Sequence, residues 1–254
     1  MNAQEPSQFY TGIVAELYAP LRSAVPDPEP YAHFIARSGE PALELGCGDG
    51  DPILELRARG IDVEGLDSSG DMLQRCREAA RKRGIDVVLH EQPMQTMHLG
   101  KRFQSIYLAG PTFTLLPDDK AASETLRRVR DHLLPGGAAL IPLFVPPATP
   151  REQLGRPRIH TTGDGIETRV TTVSETRDDA TRSHTAIMRY ERIAPTETVR
   201  EDRSWLCHWY TQDGFRALAT GAALTVAAVL SPDGTLAGPD DQIFVFLLTA
   251  PAEP

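Results

Sequence analysis

Up to about residue 145 the chain repeats one rhythm: a short apolar run, a polar turn, then apolar positions three and four apart. Phe9, Tyr10, Ile13, Val14, Leu17, Tyr18 and Leu21 share one face of a predicted helix over 8–21. V-P-D-P-E-P at 25–30 breaks it, and a second helix follows over 31–37. Leu43 and Leu45 fit a buried strand that ends at a glycine cluster. A helix starts with Asp51 as N-cap and Pro52 at its first position, and stops at Gly60. A strand over 61–66 then ends in Asp67. Met72, Leu73, Cys76, Ala79 and Ala80 mark a helix over 69–82, stopped by Gly84. Strands follow over 85–89 and 103–108, then a helix over 118–134 with its arginines outward. L-P-G-G at 134–137 reads as a turn before a strand over 138–145. Pro142 belongs at that strand's loosening end, because proline removes a ladder hydrogen bond. Strands alternating with helices predict a doubly wound, mostly parallel α/β sheet.

At residue 146 the rhythm changes. A linker over 146–157 leads to three β-rich, alternating stretches, 165–176, 183–193 and 199–210, with a D-D-A-T hairpin turn between the first two. An antiparallel ribbon of this kind needs a partner surface. It is expected to pack on the carboxyl edge of the core sheet or, as the alternative, to join two copies in a homodimer. Helical spacing returns over 211–224, with Phe215 and Leu218 inward and Gly221 as the stop, before two last strands over 225–230 and 242–249. The expected organisation is an N-terminal helical lid over 1–40, a core over 41–145 and 211–254, and an inserted antiparallel subdomain over 146–210.

Composition narrows the class. The chain has 254 residues, 41% hydrophobic and 24% charged, in the range of globular proteins. A net charge of −9 opposes sequence-independent binding to nucleic acid. Cys47, Cys76 and Cys207 form no C-x-x-C pair, so neither a metal site nor a disulfide framework is expected. The N-terminus M-N-A-Q-E-P-S-Q lacks an apolar run, and no long apolar stretch exists for a membrane. A cytoplasmic protein is the expectation.

The chemistry concentrates in 41–67. Gly46, Gly48 and Gly50 allow close approach of backbone to ligand. Asp67, 19 residues after Gly48 and at the tip of the next strand, is placed to accept hydrogen bonds from both ribose hydroxyls of a nucleoside. The dinucleotide fingerprint G-x-G-x-x-G fails at its third position, where Asp51 stands. Asp49 and Asp51 also oppose a pyrophosphate. A phosphate-free, cationic nucleoside avoids that conflict.

E44-L-G-C-G-D-G50, followed by Asp67 and S-S-G-D-M-L, resembles the class I methyltransferases that use S-adenosylmethionine. The opening F-Y-T-G-I-V-A-E-L-Y and the inserted sheet are similar to bacterial small-molecule N-methyltransferases, those acting on amino sugars in particular. The resemblance implies that S-adenosylmethionine gives up a methyl group to a small-molecule acceptor and leaves as S-adenosylhomocysteine. It implies cofactor contacts at Tyr18, Glu44, Gly46, Cys47, Gly48, Asp67, Ser68 and Met72. After the third strand, Met94 packs on the adenine. Pro93 stands where the family has an acid, so Glu91 or Gln92 is expected to meet the adenine amino group. Ala109 and Gly110 border the methionine part. The acceptor side is expected from Tyr10, Thr112, Phe113, Trp205 and Tyr210, with His208 as a candidate base. The nucleophile, nitrogen or oxygen, stays open. Two alternatives are a protein that binds S-adenosylmethionine without turnover and, behind it, an NAD-dependent oxidoreductase.

Overall fold

The apolar runs of the first half become parallel strands, buried at the centre of the sheet and part-exposed at its Leu89–Glu91 edge. In the computed structural model, which describes residues 9–22, 25–163 and 165–251, these are β1 (Ala42–Leu45), β2 (Val63–Asp67), β3 (Leu89–Glu91), β4 (Phe103–Tyr107) and β5 (Leu133–Phe144). Two antiparallel strands, β10 (Thr225–Leu230) and β11 (Ile243–Thr249), complete a seven-stranded sheet of order β10-β11-β5-β4-β1-β2-β3. Strand order reverses at β1, which pairs with β2 on one side and β4 on the other. A crevice opens beyond the carboxyl ends of the strands at such a reversal. Helices α3 (Ile53–Ala58), α4 (Gly70–Arg83), α5 (Asp119–His132) and α6 (Gln212–Gly221) cover the sheet. The caps follow the sequence: Ser69, Asp118 and Thr211 each accept a backbone N–H in the first turn of α4, α5 and α6.

The second half forms a separate four-stranded antiparallel sheet of order β6-β7-β8-β9. Its strands are β6 (Pro157–Thr161), β7 (Glu167–Asp178), β8 (Ser183–Ala194) and β9 (Glu197–His208). Against it lies α1 (Ile13–Leu21). Phe9, Ile13, Val14, Leu17 and Leu21 form one apolar cluster with Val170, packed by Met188, Tyr190, Val199 and Trp205. The ribbon therefore clasps the N-terminal helix. A short helix, α2 (Glu29–Ser38), leads from there to β1.

Several elements differ from expectation. The first helix begins at Ile13, after a turn that carries Phe9 and Tyr10, and Gln8 lies outside the described residues. Asp51 does not cap α3; Pro52 occupies that position without a side-chain bond, and the Asp51 carboxylate binds Arg22. β3 starts four residues late, because Ile85 and Val87 pack against the core behind α4 before the strand begins. L-P-G-G is a bulge inside β5: Leu133 pairs with Phe103 and Ala138 with Ser105, and Gly136 has φ +72 between them. Pro142 sits within β5 opposite Val245. Leu140 receives Leu108 N–H on the β4 side, so by alternation Pro142 faces the same side, past the end of β4, where no partner asks for an N–H. Strand β6, exposed along its whole length, had no apolar alternation to announce it.

Candidate functional site

A cleft of about 390 Å3 opens beyond the carboxyl ends of β1, β2 and β4. Gly46, Gly48, Leu66, Asp67, Ser68 and Met72 supply its floor from the first β-α-β unit. Gly46 cannot be replaced without displacement: a Cβ there would stand 2.7 Å from Thr112 Cγ2, and its φ is +72. Thr112, on the 3-10 turn after β4, therefore packs directly on the glycine turn. Asp67 closes the other side. Its carboxylate accepts Gly48 N–H at 2.9 Å and Ser69 N–H at 2.8 Å. A carboxylate offers about four acceptor sites, so two remain for a ligand. Burial raises the Asp67 pKa, against the opposing pull of those backbone bonds.

Glu44 lies below this floor and is fully buried. Tyr107 OH donates to its Oε2 at 2.7 Å, and Oε1 has no partner. Burial, reinforced by Asp67 and Asp51 and opposed by the Tyr107 bond, pushes its pKa up to about 8. Glu44 is thus outside the lining of the cleft, and its orphaned oxygen lies one layer beneath the glycine turn.

The roof is the N-terminal helix. Tyr10 and Tyr18 line the cleft and meet edge to face, with centroids 5.6 Å apart. The roof is pinned at both ends. Ser69 Oγ donates to Tyr10 O at 2.5 Å and Gly12 N–H to Asp71 at 2.7 Å. At the other end Arg22 pairs with Asp51 at 2.5 Å and more loosely with Asp49 at 3.5 Å. The two acids of the glycine loop are thus partly neutralised, which weakens the charge argument made against a pyrophosphate.

The remaining lining comes from Pro93, Met94 and Gln95 after β3, from Thr112, Leu115, Leu116 and Pro117 after β4, and from Leu206 of β9. Of the residues singled out in the sequence, Tyr10, Tyr18, Gly46, Gly48, Asp67, Ser68, Met72, Met94 and Thr112 meet in this cleft. Others do not. Cys47 is buried beneath the turn, with its sulfur 2.7 Å from where a Cβ on Gly65 would stand. Glu91 lays its carboxylate against Gly70 at the start of α4. Gln92 spends its amide on the backbone of His98. Neither lines the cleft, and Gln95, which sequence reasoning passed over, does. Ala109 and Gly110 follow β4 outside the lining.

The expected acceptor wall is also redrawn. Phe113 and Tyr210 are fully buried in the core and pack on Phe215. Trp205 meets His184 edge to face at 5.7 Å and belongs to the cluster around α1. His208 is buried and pairs through Nε2 with Asp119 at 3.0 Å, beside Tyr210. It is tied to the start of α5 and is outside the cleft. Strand alternation put Leu206, His208 and Tyr210 on one face. The residue of that face that reaches the cleft is Leu206.

A methyltransferase-domain family matches residues 42–137. A dTDP-3-amino-3,6-dideoxy-α-D-glucopyranose N,N-dimethyltransferase of Streptomyces fradiae is 29% identical over 54% of this chain and 55% of its own length. The chain thus spans about half the length of that relative. A cypemycin N-terminal methyltransferase of a Streptomyces species is 28% identical over 79% of this chain and 77% of its own. In structure, CalS10 of Micromonospora echinaspora, an amino pentose methyltransferase with S-adenosylmethionine bound, superimposes with a TM-score of 0.67. That match is 20% identical and covers 94% of this chain and 97% of the other.

Proposed function

We propose that the chain is a class I methyltransferase and transfers a methyl group from S-adenosylmethionine to a nitrogen or oxygen nucleophile of a small molecule. The observation that carries this reading is Asp67, held by Gly48 N–H and Ser69 N–H at the edge of a cleft floored by Gly46 and Gly48. Asp67 receives the ribose hydroxyls on its free acceptor sites. Met72 and Met94 flank the base, and Gln95 presents an amide to its polar edge. The glycine turn takes the aminoacyl end, whose cationic charge sits one layer above the orphaned Oε1 of Glu44. Bound there, S-adenosylmethionine supplies an electrophilic methyl group on a sulfonium. Tyr10 and Tyr18 roof the cleft, keep water out and turn electron-rich rings towards positive charge.

The protein's contribution to rate is alignment of nucleophile, methyl and sulfur on one line. Asp67 is the titratable carboxylate among the described lining residues, and it is committed to the cofactor. The acceptor therefore arrives with its lone pair free, and its proton leaves to solvent after transfer.

Calorimetric titration with S-adenosylmethionine, followed by detection of S-adenosylhomocysteine in the presence of amine and hydroxyl acceptors, tests this. Binding with product formation is expected. Binding without product across acceptors would leave a sensor of the cofactor, and absence of binding would end the reading.

A further inference from the structure

We infer that the acceptor carries its nucleophile on a neutral, largely apolar body, with no phosphate group inside the cleft. The inference rests on the methyl-transfer reading above and concerns the lining that reading leaves unassigned. It includes Leu115, Leu116, Pro117 and Leu206, with Thr112 beside them on the turn after β4. The four come from two separate segments, the loop after β4 and the strand β9, and are apolar; Thr112 adds a hydroxyl and no charge. Asp67 is the charged side chain among the described lining residues. A diphosphate drawn into this space would exchange its hydration for hydrocarbon and a carboxylate, an unfavourable transfer for an unpaired anion.

Five arginines of the roof and ribbon are already paired, although Arg75 near Asp49 and Arg158 near Tyr190 are not among them. Arg22 is held by Asp49 and Asp51 at one end of the roof. Arg203, next to Gly12 at the other end, is held by Glu201. Arg182 lies on Asp119 beside the loop that carries Pro117. Along the ribbon, Arg189 pairs with Asp202 and Arg200 with Glu191. An anionic acceptor would compete with the carboxylates that hold these five arginines, whereas an apolar body gains from desolvating the leucines at once.

The test uses the full chain and two acceptors with the same amine: 3-amino-3,6-dideoxyglucose as its octyl glycoside and as its dTDP glycoside. With S-adenosylmethionine saturating, kcat/KM for the octyl glycoside is expected to exceed that for the dTDP glycoside by about tenfold or more, the ratio set by 1.4 kcal/mol. Equal use, or preference for the dTDP glycoside, overturns the inference. If neither turns over, calorimetry on the protein loaded with S-adenosylhomocysteine decides. Binding of the octyl glycoside alone supports it; tighter binding of the dTDP glycoside, or binding of neither, overturns it. Leu206→Arg is a second arm. It is expected to reduce use of the octyl glycoside and to shift the ratio towards the dTDP form by about tenfold, and an unmoved ratio counts against the wall. Failure to bind S-adenosylmethionine at all would instead remove the methyl-transfer reading.

Discussion

At the residue scale, two acids divide the work of the floor. Asp67 holds two backbone N–H groups and keeps two acceptor sites for a ligand. Asp67→Ala should weaken S-adenosylmethionine binding by about 1.5–3 kcal/mol for each charge-assisted bond lost. Glu91→Ala should leave it unchanged, since that carboxylate lies against α4. Equal losses in a titration would move the ribose away from Asp67. Glu44 controls the response to pH. Burial lifts its pKa from 4.5 to about 8, so between those values the folded chain holds a proton that the unfolded chain has lost. Its contribution to stability therefore falls as pH rises from 4.5 to 8 and levels off above, with a slope of at most about 1.4 kcal/mol per pH unit. A cation above Oε1 favours the ionised form, so cofactor binding below pH 8 should release a proton. Calorimetry in buffers of different ionisation enthalpy would detect it, and Glu44→Gln should abolish the release and remove Glu44's part of the slope, leaving that of Asp67 and Asp49, whose pKa values burial also raises.

At the scale of elements, the roof helix depends on its two anchors. Removing Arg22 frees Asp51 and Asp49 and leaves one end of α1 unpinned. Arg22→Ala should cost about 1–3 kcal/mol, the penalty for leaving a part-buried charged partner unmet. It should also speed amide exchange over Ile13–Leu21 more than over β1. Uniform exchange across both would mean that the pair contributes nothing local. Elements were legible in the sequence wherever their signals were local. Ser69 and Gly84 bound α4, and the alternation of T-R-V-T-T-V and T-A-I-M-R-Y set β7 and β8. The glycine motif with Asp67 located the floor for the same reason. Signals failed where a distant partner decided. Asp51 reads as a cap but is claimed by Arg22, 29 residues away in sequence. His208 reads as a substrate residue but is claimed by Asp119, 89 residues away. Strand β6 needed only an edge to pair with, and Gln95 reaches the cleft because Glu91 and Gln92 are engaged elsewhere.

At the scale of the whole molecule, the two sheets meet through α1 and through the bonds of His208 and Arg182 to Asp119 at the start of α5. The core supplies the floor, α1 supplies the roof, and the ribbon grips α1 from behind through Val170, Met188, Tyr190, Val199 and Trp205. The ribbon thus reaches the cofactor side of the cleft indirectly, through Tyr10 and Tyr18, and the acceptor side directly, through Leu206. Neighbouring residues of one strand then have separable effects. Trp205→Ala removes a half-buried ring from behind α1 and should cost less than the roughly 3–5 kcal/mol of a fully buried tryptophan. Its first functional consequence should be weaker S-adenosylmethionine binding, because the roof is no longer held down on the cofactor. Leu206→Ala enlarges the acceptor wall, so it should raise KM for the acceptor while leaving cofactor affinity near the parent value. His208→Ala breaks the link to Asp119 and should lower stability without touching either constant at saturation. Calorimetry for the cofactor, steady-state kinetics for the acceptor and thermal unfolding for all three variants would separate the roles. If Trp205→Ala leaves cofactor affinity intact and instead changes the oligomeric mass, the ribbon serves as an interface between copies, and the roof is held by its polar anchors alone.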